Sequence, residues 1–153
     1  MSILSRLFPP KPFFTDEEQQ RIVAAIHAAE KRTSGEIRVF AESRCSYVNA
    51  IDRAAEIFFG LKMEKTEDRN GVLLYFAMKD QQMAIFGDEG IHQKVGEEFW
   101  NKEVRKILQE FRKDNHAQGI INIITEIGEA LVFHFPYENE DRNELPDDIV
   151  FGK

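Results

Sequence analysis

The stretch from 71 to 90, GVLLYFAMKDQQMAIFGDEG, restricts the fold more than any other part of the chain. The unbroken apolar run at 72–77 reads as a strand covered on both faces, because a half-solvated strand would alternate with polar residues. A second apolar run, 83–86, follows a turn built around Lys79, Asp80 and Gln81. So short a connection cannot carry a crossover, so the two strands must pair antiparallel as a hairpin. Paired strands lie about 4.8 Å apart. The open end of the hairpin therefore brings residues 68–71 beside residues 87–90.

The flanking sequence supplies the layers. Thr15 and Glu18 in TDEE form a capping box, and Asp16 and Glu17 suit the positive end of a helix dipole. Ile22, Val23, Ile26 and Ala29 then mark one helical face, with Gly35 expected to end that helix in the left-handed conformation. EIRVFAE at 36–42 alternates, which predicts a strand whose Glu36, Arg38 and Phe40 face is mostly polar. Ile51, Ala54, Ala55 and Phe58 recur at helical spacing within 48–61. A strand, a helix and the strand at 72–77 predict a right-handed parallel βαβ unit. Beyond the hairpin, a short helix is expected at 90–98 and a longer one at 99–111 carrying Val104, Ile107, Leu108 and Phe111. Ile120, Ile123, Ile124, Ile127 and Leu131 keep the period of a last amphipathic helix. The fold class is α/β: a three-layer α/β/α sandwich with a small mixed β-sheet. The organisation expected is a proline-bearing lead-in at 1–13, a folded domain at 14–135 and an acidic, irregular tail at 136–153. That tail is expected to lie on the surface, anchored by Phe135, Tyr137 or Phe151.

Composition narrows the function. A chain of 153 residues fits one domain, and 42% hydrophobic residues with 13 Phe suffice for its core. A single cysteine, Cys45, cannot form an internal disulfide and reads as a half-buried bystander. The net charge of −7, with no dense Lys/Arg stripe, argues against nucleic acid and favours cations or basic partners. Arg6, Pro9, Pro10 and Pro12 break the N-terminal apolar segment, and no run approaches the ~20 residues of a membrane span. We therefore expect a cytoplasmic protein without membrane contact.

Nucleotide-binding, serine-hydrolase, zinc-protease and EF-hand signatures are absent, and the 4 histidines have no ligand spacing. The chemistry is concentrated at the open end of the hairpin. There the two loops present Asp68, Asn70, Asp88 and Glu89, framed by Gly71, Gly87 and Gly90. A parallel first strand adds Ser34 and Glu36 to the same edge, while Glu42, Ser43 and Asp80 collect at the opposite one. Clustered carboxylates repel unless a positive group sits among them. Two arrangements satisfy this. In one, Asp88 and Glu89 cap the following helix and Arg69 forms a salt bridge. In the other, Asp68, Asn70, Asp88 and Glu89 hold a divalent cation, with carbonyl oxygens admitted by the glycines.

SGEIRVFAES (34–43), DRNGVLLYFAMKDQQMAIFGDEGI (68–91) and AQGIINIITEIGEAL (117–131) together resemble the TPM domain family over about residues 13–135. The ending resembles that of small stand-alone bacterial members. The resemblance implies an α/β/α sandwich, binding of calcium or related divalent ions in some members, and an acid phosphatase activity. The family motif falls on Asp68, Arg69, Gly71, Asp80, Gly87 and Gly90.

Two functions follow as expectations. The first is a divalent-cation module, Ca²⁺ ahead of Mg²⁺, with a scaffolding or regulatory role toward an unidentified protein partner. The alternative is a metal-assisted phosphomonoesterase in which Arg69 clamps the phosphate. An interaction domain that uses the acidic tail is the third reading.

Overall fold

The computed structural model describes residues 13–113, 115–137 and 149–152. The elements run α1 (Asp16–Glu30), β1 (Glu36–Glu42), α2 (Ala50–Gly60), β2 (Gly71–Ala77), β3 (Gln82–Gly87), α3 (Glu89–Val95), α4 (Glu97–Arg112), α5 (His116–His134) and β4 (Ile149–Phe151). The strands lie in the order β3-β2-β1-β4. β1 and β2 are parallel, with Val39 opposite Leu74, and β2 and β3 are antiparallel, with Leu74 opposite Ile85.

The unbroken apolar run of β2 fits its place: every residue of the strand is buried. Side chains alternate between the faces of a strand. Val72, Leu74 and Phe76 accordingly join Ile22 and Ile26 of α1, Ile107 of α4 and Ile124 of α5 in one core. Leu73, Tyr75 and Ala77 join Ala54, Ile57 and Phe58 of α2 in the other. Full burial of each such aliphatic or aromatic side chain contributes about 1.5–3 kcal/mol. The result is three layers around a mixed sheet, as the sequence predicts. The capping box at Thr15 and Glu18 forms with both hydrogen bonds in place.

Five local expectations are corrected. The supposedly polar face of β1 is buried: Glu36, Arg38 and Phe40 are 3%, 5% and 9% exposed. β1 is an interior strand, because β4 pairs with its far side in parallel, Phe40 opposite Val150. That strand comes from the tail expected to be irregular; Phe151 packs on Phe13 and Phe14. Residues 138–148 of the tail and 1–12 of the lead-in lie outside the described residues. Gly35 does not take a left-handed conformation; α1 ends at Glu30 with Lys31 as its cap. The closing glycine is instead needed for space, since a Cβ there would stand 2.7 Å from a Leu131 methyl. The α3–α4 boundary falls at Gly96, whose φ of 81° breaks the helix where no other residue type fits easily. On α2, Ile57 takes the inward place expected of Ile51, which is 44% exposed.

Among the described residues, no helix is long and apolar enough to cross a membrane.

Candidate cation site at the open end of the hairpin

The hairpin brings its two loops together as the sequence predicts. The Asp88 amide donates to the Gly71 carbonyl at 2.9 Å, and the Gly90 amide donates to the Arg69 carbonyl at 2.8 Å. The contact is tight enough to demand glycine. A Cβ on Gly90 would lie 2.0 Å from the Asp68 carbonyl oxygen and 2.6 Å from that of Arg69. Gly87 is likewise covered, with Trp100 ring carbons 2.3 Å from where its Cβ would be. Arg69 itself has φ 50°, a left-handed conformation that an arginine adopts only under constraint.

Within this corner the candidate residues separate into two linked groups. Arg69 grips Asp88 through two parallel hydrogen bonds, Nε to Oδ2 at 2.7 Å and Nη2 to Oδ1 at 2.8 Å. Its Nη1 reaches Glu89 Oε1 at 3.2 Å. Asp88 is only 2% exposed, and it also caps α3 by accepting from the Glu89 amide at 2.8 Å. The Asp88 hydrogen bonds raise the Arg69 pKa above its already high value, so the guanidinium stays charged. Of the two arrangements the sequence allowed, the cap and the salt bridge are both present.

Asp68 and Asn70 form the second group, joined by Ser34. Asn70 Nδ2 donates to Ser34 Oγ at 3.1 Å, and Ser34 Oγ lies 3.4 Å from Asp68 Oδ2. Asn70 is 1% exposed. Its backbone is fixed on both sides, the amide donating to Thr66 Oγ1 at 3.2 Å and the carbonyl accepting from Glu36 at 3.4 Å. Its Oδ1 is buried without a hydrogen-bond partner, and so is Oε2 of Glu64 in the same loop. Glu64 is close enough for its charge to act on Arg69. Sequence reading passed over Glu64 because it sits in a uniformly polar loop; its burial depends on tertiary packing. Among the described residues no three His, Cys, Asp or Glu side chains gather as a metal-ligand set. Any hard cation here would therefore lean on amide and carbonyl oxygens.

The opposite edge is also built as expected. The Met78 and Lys79 amides donate to the Glu42 and Ser43 carbonyls, both at 2.8 Å, and Asp80 accepts from the Cys45 amide at 2.8 Å. Buried Glu42 is held bidentately by Arg53, at 2.9 and 3.0 Å, and by the Tyr75 hydroxyl. Burial pushes the Glu42 carboxyl up, but the hydrogen bonds and charge around it win and leave it below the usual range. Every partner there is satisfied, so this cluster is read as structural.

The sequence profile of the TPM domain matches residues 10–130. No curated protein matches the chain significantly. Among solved structures, the chain is similar to the BA42 protein of the psychrophilic bacterium Bizionia argentinensis. The two share 42% identity and a TM-score of 0.85, over 94% of this chain and 98% of that one. It shares only its fold with a P. gingivalis protein's N-terminal domain, at 15% identity and TM-score 0.64, covering 82% of this chain and 83% of that one. The N-terminal domain of the cg2496 protein of Corynebacterium glutamicum stands at 15% identity and TM-score 0.59, covering 78% of this chain and 74% of that one. Geometry and profile agree, and the chain belongs to the TPM domain family.

Proposed function

We propose that this chain is a divalent-cation-binding module of the cytoplasm with a scaffolding or regulatory role, binding Ca²⁺ in preference to Mg²⁺. One observation carries the reading: Asn70 is 1% exposed and its side-chain oxygen lacks a partner, in the loop that also holds Asp68 and the equally orphaned Glu64 oxygen. A buried acceptor without a donor costs about 1–3 kcal/mol, a cost that a bound cation would relieve. Arg69 is the resident positive charge of the corner. An incoming cation offers Asp88 and Glu89 an alternative counter-ion, so binding would loosen the Arg69 grip. Ca²⁺ suits a mixed set of carboxylate, amide and carbonyl oxygens better than Mg²⁺, which demands a stricter octahedron. The phosphomonoesterase alternative has no comparable support, since Arg69 spends its Nε, Nη1 and Nη2 on Asp88 and Glu89.

The test is an amide NMR titration of EDTA-stripped protein with CaCl₂ and MgCl₂, alongside thermal melts. A cation that binds only the folded state raises the melting temperature. Shifts centred on Asn70, Gly71, Gly87 and Gly90 with a higher melting temperature are expected. Unchanged amides and melting at millimolar Ca²⁺ would end the proposal.

A further inference from the structure

Among the described residues the outer edge of β3 pairs with no other strand: in the sheet order β3-β2-β1-β4 it pairs with β2 alone, and it lies deep, with Met83, Ala84 and Ile85 7%, 5% and 3% exposed. Inward and outward hydrogen bonding alternate along an antiparallel strand. Because the Asp88 amide bonds inward to Gly71, the inward places continue at Phe86 and Ala84. Met83, Ile85 and Gly87 are left with their amides and carbonyls directed outward. Such an edge is a template for another strand.

This edge lies at the bottom of a groove of about 840 Å³, which all five residues from Met83 to Gly87 line. One wall is α2, whose Ile51 and Phe59 are 44% and 49% exposed. The other is α4, with Trp100 and Val104. Val48, 97% exposed, stands just before α2. The two exposed apolar residues of the α2 wall are a surface that a monomer gains nothing by showing to water, while Trp100 on the other wall is 6% exposed.

One end of the groove is charged. Asp88, Glu89 and Glu97 line it against a single guanidinium, that of Arg69. His92 is turned toward α4, its Nδ1 accepting from Trp100 Nε1 at 3.0 Å. This end lies at the C-terminal end of β3, where Trp100 covers Gly87. A strand added antiparallel would place its N-terminal end there, and a parallel one its C-terminal end. The surplus negative charge repels a carboxylate and attracts an amine.

We propose that the β3 edge takes up an extended apolar segment of a protein partner as a fifth, antiparallel strand, with a lysine, arginine or free amino terminus of that segment seated against Glu89 and Glu97. Main-chain hydrogen bonds to Met83, Ile85 and Gly87 give the affinity, and alternate side chains entering between α2 and α4 give the selectivity. A second copy of this chain fits poorly, because its own β3 is recessed between the same two helices and two recessed edges cannot meet. The inference does not depend on cation binding, and its test is run in EDTA.

The full chain is panned against a display library of random decapeptides, and the enriched sequence is synthesised for fluorescence anisotropy, Trp100 emission and amide NMR. Enrichment of alternating apolar residues behind an N-terminal cationic group is expected, with shifts at Met83, Ile85 and Gly87. N-methylation of alternate peptide amides removes the strand hydrogen bonds without touching the protein and is expected to weaken binding at least about tenfold. Glu97→Lys on the exposed wall is expected to weaken the cationic peptide similarly and to favour an acidic-ended one. Failure to enrich any sequence, equal binding of the N-methylated peptide, or shifts away from β3 would overturn the proposal. So would sedimentation showing a dimer that Phe59→Glu dissolves, which would assign the groove to a second copy.

Discussion

Arg69 and Asp88 meet through two hydrogen bonds of 2.7 and 2.8 Å, although one residue leads into β2 and the other follows β3. The pair is lopsided: the Arg69 side chain is 35% exposed and that of Asp88 only 3%. Losing one partner is therefore not equivalent to losing the other. Arg69→Ala strands a buried carboxylate, whereas Asp88→Asn frees a guanidinium that water can reach and keeps an acceptor for the Glu89 amide. Arg69→Ala is expected to melt lower than Asp88→Asn in EDTA, and to regain more of its melting temperature in millimolar Ca²⁺. Paired thermal melts of the two variants check both statements.

The glycines make a second prediction. Gly90→Ala drives a methyl into two backbone carbonyls that cannot move aside, and is expected to cost about 3 kcal/mol by denaturant unfolding. Gly60, the last residue of α2, has nothing within 4 Å of its would-be Cβ. Gly60→Ala is expected to stabilise by about 0.5 kcal/mol, through helix propensity and a stiffer unfolded chain.

Between α4 and α5, Glu103 is 3% exposed and its Oε2 lacks a partner. Burial first, and the hydrogen bond to Glu126 second, push its carboxyl up from 4.5 to about 7. A raised folded-state pKa means that the protonated form is the stabilising one. Its contribution is complete below pH 4.5 and is lost as the pH rises through about 7. Glu103→Gln, uncharged throughout, is expected to match the parent near pH 4.5 and to exceed it at pH 8 by on the order of 2 kcal/mol. Urea unfolding at the two pH values reads the difference.

Tyr75 is fully buried and its hydroxyl donates to Glu42. Burial, followed by that hydrogen bond, raises its pKa far above the ordinary tyrosine value. Of the 3 tyrosines in the chain, Tyr75 is therefore expected to stay protonated until the protein unfolds in alkali. An absorbance titration at the phenolate band should lose no amplitude below the unfolding pH when Tyr75 is changed to Phe.

Much of this was legible in the sequence, for identifiable reasons. The hairpin, the parallel β1–β2 pair and the meeting of 68–71 with 87–90 follow from one apolar run and one short turn. The helical period of Ile120, Ile123, Ile124, Ile127 and Leu131 outweighed the strand preference of its isoleucines, and α5 is a helix. What escaped was tertiary. Glu36 and Arg38 read as a solvated face because alternation does not announce burial, and nothing local announces that a three-residue strand will pair with the far side of β1 at Val39, Phe40 and Ala41. At the candidate site, residue types pointed to the right corner. They did not reveal that Arg69 divides it, giving Asp88 and Glu89 to the guanidinium and leaving Asp68 and Asn70 to Ser34.

The β1–β4 pairing has a consequence for biosynthesis. Ala41 and its partner Phe151 lie far apart in the sequence, so the flank of β1 stays bare until the β4 segment has been made. Contacts of such long sequence separation slow folding and prolong the exposure of sticky intermediates. The nascent chain can assemble its hairpin and helices beforehand, but the sheet is finished only once the β4 segment has emerged.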